Sequence, residues 1–196
     1  MASPLAFRPD KKRPSSVIKG LGAILLLINL MGCVASTPRG FYKRGTEAIA
    51  QGEFKQGIAS LSRAIKSQPN FSEAYVNRGI AYAELGEFKN AIADYKQAIE
   101  LNPKLTDAHY NLGNVLLQTG KEDAAIAAYT EALKLESNFA YALGNRAKSY
   151  EQTGDLEAAI ADLKAAIQLF NSQGEIQAAL AAQKQLDTLQ DASEEP

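Results

Sequence analysis

The chain has 196 residues, 46% of them hydrophobic and 22% charged, proportions ordinary for one globular domain with an appendage. Of 21 basic and 22 acidic residues, five and one fall in the first 32, so the remainder carries 16 against 21, a net of −5. That mildly acidic body lacks the clustered Lys and Arg that nucleic-acid binding requires, and a single cysteine excludes an intramolecular disulfide or a cysteine-based metal cluster.

Residues 1–19 are polar and basic (Arg8, Lys11, Lys12, Arg13, Lys19) and are broken by Pro4, Pro9 and Pro14. From Gly20 to Pro38 there is no charge, and Leu21 to Ile28 is the apolar centre. A basic run, a short apolar run and small residues after it describe an export signal. Leu30-Met31-Gly32-Cys33 resembles the bacterial lipobox, in which the peptide is cut before a cysteine that then receives lipid; Met31 departs from the small or β-branched residue usual at its place. The resemblance implies a signal peptide over 1–32, lipidation at Cys33 and a short tether over 33–37. Two other readings stay open. The uncharged stretch approaches the roughly 20 residues that span a bilayer, which makes it an uncleaved N-terminal anchor, and cleavage after Ala35 releases a secreted protein. In a bacterial source each reading places the remainder of the chain outside the cytoplasm, in the cell envelope.

Downstream, Gly52, Gly86, Gly120 and Gly154 recur every 34 residues. Around them the second block reads Tyr75, Arg78-Gly79, Tyr82, Ala91, Tyr95, Ala98, Pro103. This period and these columns resemble the tetratricopeptide repeat (TPR), a helix–turn–helix unit, over four blocks: 38–71, 72–105, 106–139 and 140–173. Gly45, Gly79, Gly113 and Ala147 in first helices, and Gly57, Ala91, Ala125 and Ala159 in second helices, are small enough for close helix approach. Leu61, Tyr95, Tyr129 and Leu163 fill the spaces between, and His109 shares a packing column with Phe41 and Tyr75. The periodic glycine ends each first helix, and Pro69, Pro103, Ser137 and Asn171 close the repeats. Residues 174–190 form a capping helix with a stripe of Ile176, Ala179, Ala182, Leu186 and Leu189. The acidic tail 191–196 is expected to be disordered. No alternating strand pattern occurs, so the fold class is all-α; the resemblance adds a right-handed α-solenoid whose first helices build the concave face.

Two sets of residues stand out on this scaffold. Arg44, Arg78 and Arg146 take a column that holds leucine in the family, where Leu112 keeps it. Sixteen residues later stand Ser60, Asp94, Asp162 and, for Leu112, Ala128. Arg78–Asp94 and Arg146–Asp162 are expected to be ion pairs joining the two helices of a repeat; the alternative is an Arg stem laid on the helices with its head in water. The second set is Asn77, Asn111 and Asn145, one per repeat, with Lys43 in the matching place of the first. The resemblance puts this column on the concave face. An amide both donates and accepts, so a ladder of amides suits the backbone of an extended peptide, although the same side chains also suit support of the solenoid itself. Tyr42, Val76, Ile80, Tyr110, Asn114, Tyr141 and Lys148 complete the expected groove. Carboxylate-clamp TPR domains grip a chain terminus with convergent Lys, Arg and Asn; the corresponding places here hold Tyr42, Thr46, Asn77, Asp107 and Asn111, which lack the cations, and this favours an internal segment or a helix over a chain terminus.

No nucleophile–base set, phosphate loop or metal-spaced cluster appears, so neither cofactor nor small-molecule substrate is expected. The reading is a non-catalytic protein–protein interaction scaffold that binds a protein or peptide. By analogy with TPR lipoproteins such as pilus-assembly pilotins, it is an envelope assembly factor. The alternative is a structural subunit that self-associates through its convex face and repeat ends.

Overall fold

A computed structural model describes residues 36–194, with side chains as far as Asp191. Cys33 and the expected signal or anchor segment lie outside the described residues. The described chain is all-helical: α1 Pro38–Ala50, α2 Phe54–Ser67, α3 Ser72–Glu84, α4 Phe88–Leu101, α5 Thr106–Gln118, α6 Glu122–Leu135, α7 Ala140–Thr153, α8 Leu156–Gln173 and α9 Ile176–Glu194. Among them, no helix is long and apolar enough to cross a membrane.

Local chemistry sets the boundaries. At the start of α1, Pro38 takes the first turn and the Thr37 hydroxyl accepts from the Gly40 amide at 3.0 Å. Each first helix then ends at its periodic glycine, whose φ lies between 68° and 85°, in the left-handed region. There the next amide reaches back to a carbonyl of the last turn: Glu53 to Ala48, Glu87 to Tyr82, Lys121 to Leu116 and Asp155 to Tyr150. Four identical corners therefore turn the chain into four antiparallel helix pairs.

Close approach within a pair follows from the small residues. A Cβ on Gly79 would lie 2.7 Å from the Tyr95 ring, and one on Gly113 2.6 Å from the Tyr129 ring. Both tyrosines are at most 1% exposed. In the fourth repeat Ala147 is accommodated opposite the smaller Leu163, and both are fully buried.

Each helix packs on its chain neighbours. Successive first helices (α1 and α3, α3 and α5, α5 and α7) also touch, and no comparable contact joins successive second helices. First helices thus line the inner side of the curve. Apolar packing is continuous from Val76 to Leu189, whereas Leu61, Ala64, Ile65 and Ala74 form a separate small core under the first repeat.

The C-terminal end departs from expectation in three ways. Asn171 does not close its repeat, because α8 runs on to Gln173 and stops at left-handed Gly174. The reason is Phe170: it stands where Gln68, Asn102 and Glu136 leave the helix, and it is buried edge-on to Tyr141 with ring centroids 5.0 Å apart. Ile176, expected in the buried stripe of the cap, is 54% exposed, while Ala179, Ala182, Leu186 and Leu189 are buried. Residues 191–194 continue α9 rather than being disordered, since extending a helix already anchored by Leu186 and Leu189 costs little per residue.

Candidate functional site

The concave side presents the outward positions of α1, α3, α5 and α7. Of the expected groove residues, Val76, Ile80, Tyr110 and Asn114 are buried in the stack. Tyr42, Asn77, Asn111, Tyr141 and Asn145 are half-buried, and Lys43 and Lys148 are exposed toward the two ends. Lys43 lies 3.7 Å from Glu47 in a solvated pair.

The asparagine column is not a uniform ladder. Asn77 Nδ2 donates to the Tyr42 hydroxyl at 2.8 Å and to the Glu73 carbonyl at 3.0 Å. Asn145 Nδ2 donates to the Tyr110 hydroxyl at 3.2 Å and to Asn114 Oδ1 at 2.9 Å. An amide nitrogen carries two hydrogens, so both are fully engaged within the solenoid. Tyr129, buried beneath, donates to the same Asn114 oxygen at 2.8 Å. Burial pushes the Tyr110 hydroxyl up in pKa, opposed by hydrogen bonds with Asn114 and Asn145; burial also raises Tyr95 and Tyr129. Asn111 makes no side-chain hydrogen bond among the described residues.

On the other flank of each pair, Arg78 grips Asp94 with two parallel hydrogen bonds of 2.8 Å, and Arg146 grips Asp162 at 2.7 and 2.9 Å. The carboxylates hold both guanidinium groups above their ordinary pKa, against the opposing effect of burial. Each Arg also donates to a hydroxyl of the preceding repeat, Ser62 at 2.9 Å and Thr130 at 3.0 Å. In the third repeat Leu112 and Ala128 are buried instead, and Lys96 stands where Ser62 and Thr130 stand. An arginine there would face a lysine. A shallow recess of about 500 Å³, lined by Lys96, Leu112, Leu116 and Ala128 among others, occupies the place.

Sequence reasoning missed the hydroxyl partners Ser62 and Thr130, and also Tyr129 beneath Asn114. It also missed that Asn77 and Asn145 bond to tyrosines 35 residues earlier, a recurrent spacing that was present as a signal. His109 packs half-buried, with Nε2 3.0 Å from the Pro103 carbonyl.

Helix pairs of this length, with small residues at the crossing and a left-handed glycine at each corner, repeat without interruption from Pro38 to Gln173. The fold is a TPR α-solenoid. Residues 81–120 match a family model described as TPR repeat, and residues 110–174 one described as tetratricopeptide repeat. A crystal structure of MamA is similar over 79% of this chain and 90% of that one, with a TM-score of 0.69 and 27% identity. A second crystal structure of MamA protein is similar over 80% of this chain and 88% of that one, with a TM-score of 0.67 and 23% identity. The first TPR of Spaghetti (RPAP3), bound to HSP90 peptide SRMEEVD, covers 61% and 95%, with a TM-score of 0.60 and 23% identity. At 23% identity the likeness is one of fold. No curated protein matches the chain.

Proposed function

We propose that this chain is a non-catalytic scaffold, tethered to a membrane of the bacterial cell envelope, that holds a peptide or helix of a partner protein in its concave TPR groove. The observation that carries this reading is the concave row of half-buried Tyr42, Asn77, Asn111, Tyr141 and Asn145 along the first helices, whose amide oxygens and ring faces offer polar and apolar contact together. A TPR domain of similar fold bound to a peptide supports a peptide occupant. The absence of cations at Tyr42, Thr46, Asn77, Asp107 and Asn111 favours an internal stretch over a chain terminus. The basic run, apolar run and Cys33 support the tether. Photo-crosslinking in cells tests the groove: a photoreactive residue at Tyr141 should capture a partner protein, and one at Lys164 on α8 should not. Capture from Lys164 alone would overturn the reading.

A second reading is self-association through the end of the solenoid, favoured by Ile176 and Leu180, 54% and 59% exposed on one face of α9. It predicts that a photoreactive residue at Leu180 links two copies of the chain.

A further inference from the structure

Charge is unevenly divided along the solenoid. The first repeat, residues 38–71, holds six basic side chains (Arg39, Lys43, Arg44, Lys55, Arg63 and Lys66) against Glu47 and Glu53, a net of +4. Residues 72–196 hold ten basic and nineteen acidic side chains, a net of −9. All six cations of the first repeat are exposed, and among the described residues only Lys43 has an ion pair, the solvated one with Glu47.

Two of the six converge. The guanidinium carbons of Arg44 and Arg63 lie 4.8 and 5.9 Å from the centre of the Phe41 ring. Arg44 takes the column of Arg78 and Arg146, each of which has an aspartate in its own repeat and a hydroxyl in the preceding one. Arg44 has neither: Ser60 replaces the aspartate, and no repeat precedes it among the described residues. Arg44 and Arg63 make no ion pair or hydrogen bond among the described residues. Phe41 therefore gathers two forks of donors with no carboxylate of the described chain to share them.

We propose that the first repeat docks on an anionic membrane surface, with Arg44 and Arg63 sharing the phosphate of one lipid headgroup beside Phe41. Each guanidinium presents parallel N–H donors that match two phosphate oxygens. The cations are spread over α1 and α2 rather than enclosed in a pocket, which suits an extended charged surface. They lie in the repeat that the tether of residues 33–37 adjoins. The net −9 of the later repeats is repelled by the same surface, so the array stands off the bilayer with its groove clear. The inference rests on the membrane tether of the proposed function and adds the face that meets the lipid.

The test uses the full chain reconstituted in vesicles of phosphatidylcholine, with or without phosphatidylglycerol, each holding a trace of lipid with a photoreactive headgroup. Crosslinks should concentrate on α1 and α2 in the phosphatidylglycerol vesicles. Arg44→Gln with Arg63→Gln should lower their yield about tenfold or more, since each basic residue at an anionic surface is worth about fivefold. Lys121→Gln with Lys164→Gln, the same change of charge in later repeats, should leave the yield unchanged. Flotation with the neutral vesicles reads the tether by itself. A chain that floats with them, yet crosslinks evenly along the repeats or equally in both vesicles, keeps its tether and overturns the docking. A chain that does not float with them loses the tether, and the docking falls too unless α1 and α2 still crosslink to the anionic vesicles. Two further results would overturn the membrane as occupant: loss of the crosslinks to excess inorganic phosphate at matched ionic strength, which assigns the arginines to a free anion, and carbodiimide coupling of Lys43 or Lys66 to α9 of a second copy.

Discussion

Arg146 and Asp162, sixteen residues apart on facing helices, form a two-pronged ion pair in which the carboxylate side chain is 11% exposed and the guanidinium 18%. Arg78 and Asp94 form the same pair two repeats earlier. Removing the acid alone strands a cation against the helix pair, so Asp94→Ala and Asp162→Ala should each cost about 2–3 kcal/mol. The third repeat already contains the apolar alternative. Arg78→Leu combined with Asp94→Ala, which copies Leu112 and Ala128, should return stability to within about 1 kcal/mol of wild type. Chemical denaturation measures all of these; a double variant as unstable as Asp94→Ala would refute the argument.

Gly113 and Tyr129 set a second test. A methyl group on Gly113 meets the ring of a fully buried tyrosine, so Gly113→Ala should destabilise by about 1–3 kcal/mol. Adding Tyr129→Leu reproduces the Ala147–Leu163 pair of the fourth repeat and relieves the clash. It also removes the hydroxyl that bonds Asn114. A double-mutant cycle should therefore show a favourable coupling of about 1 kcal/mol or more. Strict additivity would mean that the backbone absorbs the methyl group.

Alkali provides a third. Burial raises the pKa of Tyr95, Tyr110 and Tyr129 above the ordinary value near 10. Above about pH 10 the unfolded chain loses these protons first, so the folded state binds more protons and stability falls as pH rises. The stabilisation is complete below about pH 10 and is lost toward the raised folded values, at about 1.4 kcal/mol per pH unit for each tyrosine. Helical signal and tyrosinate absorbance should change together, and Tyr95→Phe should flatten the slope. Ionisation of all tyrosines near their ordinary value with helicity intact would contradict this.

The tether is tested at Cys33. If Cys33 is the lipidated first residue, only Val34 to Thr37 separate it from α1, and the five residues from Cys33 to Thr37 reach at most about 18 Å. Cys33→Ser should leave the precursor uncut and abolish incorporation of a labelled fatty acid. Processing and membrane fractionation equal to wild type, with no label in either protein, would exclude lipidation.

The repeat register, the left-handed glycines and the helix pairs were legible because they depend on spacing along one chain. The Arg78–Asp94 spacing was legible for the same reason. What escaped was the state of satisfaction between repeats. Asn77, Asn111 and Asn145 look alike in sequence, yet their roles diverge according to what the preceding repeat offers: Tyr42, then Val76 and Ile80, then Tyr110 and Asn114. Phe170 escaped as well, because its burial against Tyr141 overrides the closing position that Asn171 occupies in the pattern.

The small core beneath the first repeat has a mechanical consequence. With helices joined essentially in series, a pull applied ahead of Thr37 loads the α1–α2 interface before any other. Leu61, Ala64, Ile65 and Ala74 resist it, joined to the main apolar cluster through the partly buried Ile49 and Tyr75, so this pair can yield while the repeats behind it stay folded. The first repeat would then behave as a fuse, opening under load while the repeats behind it keep their packing.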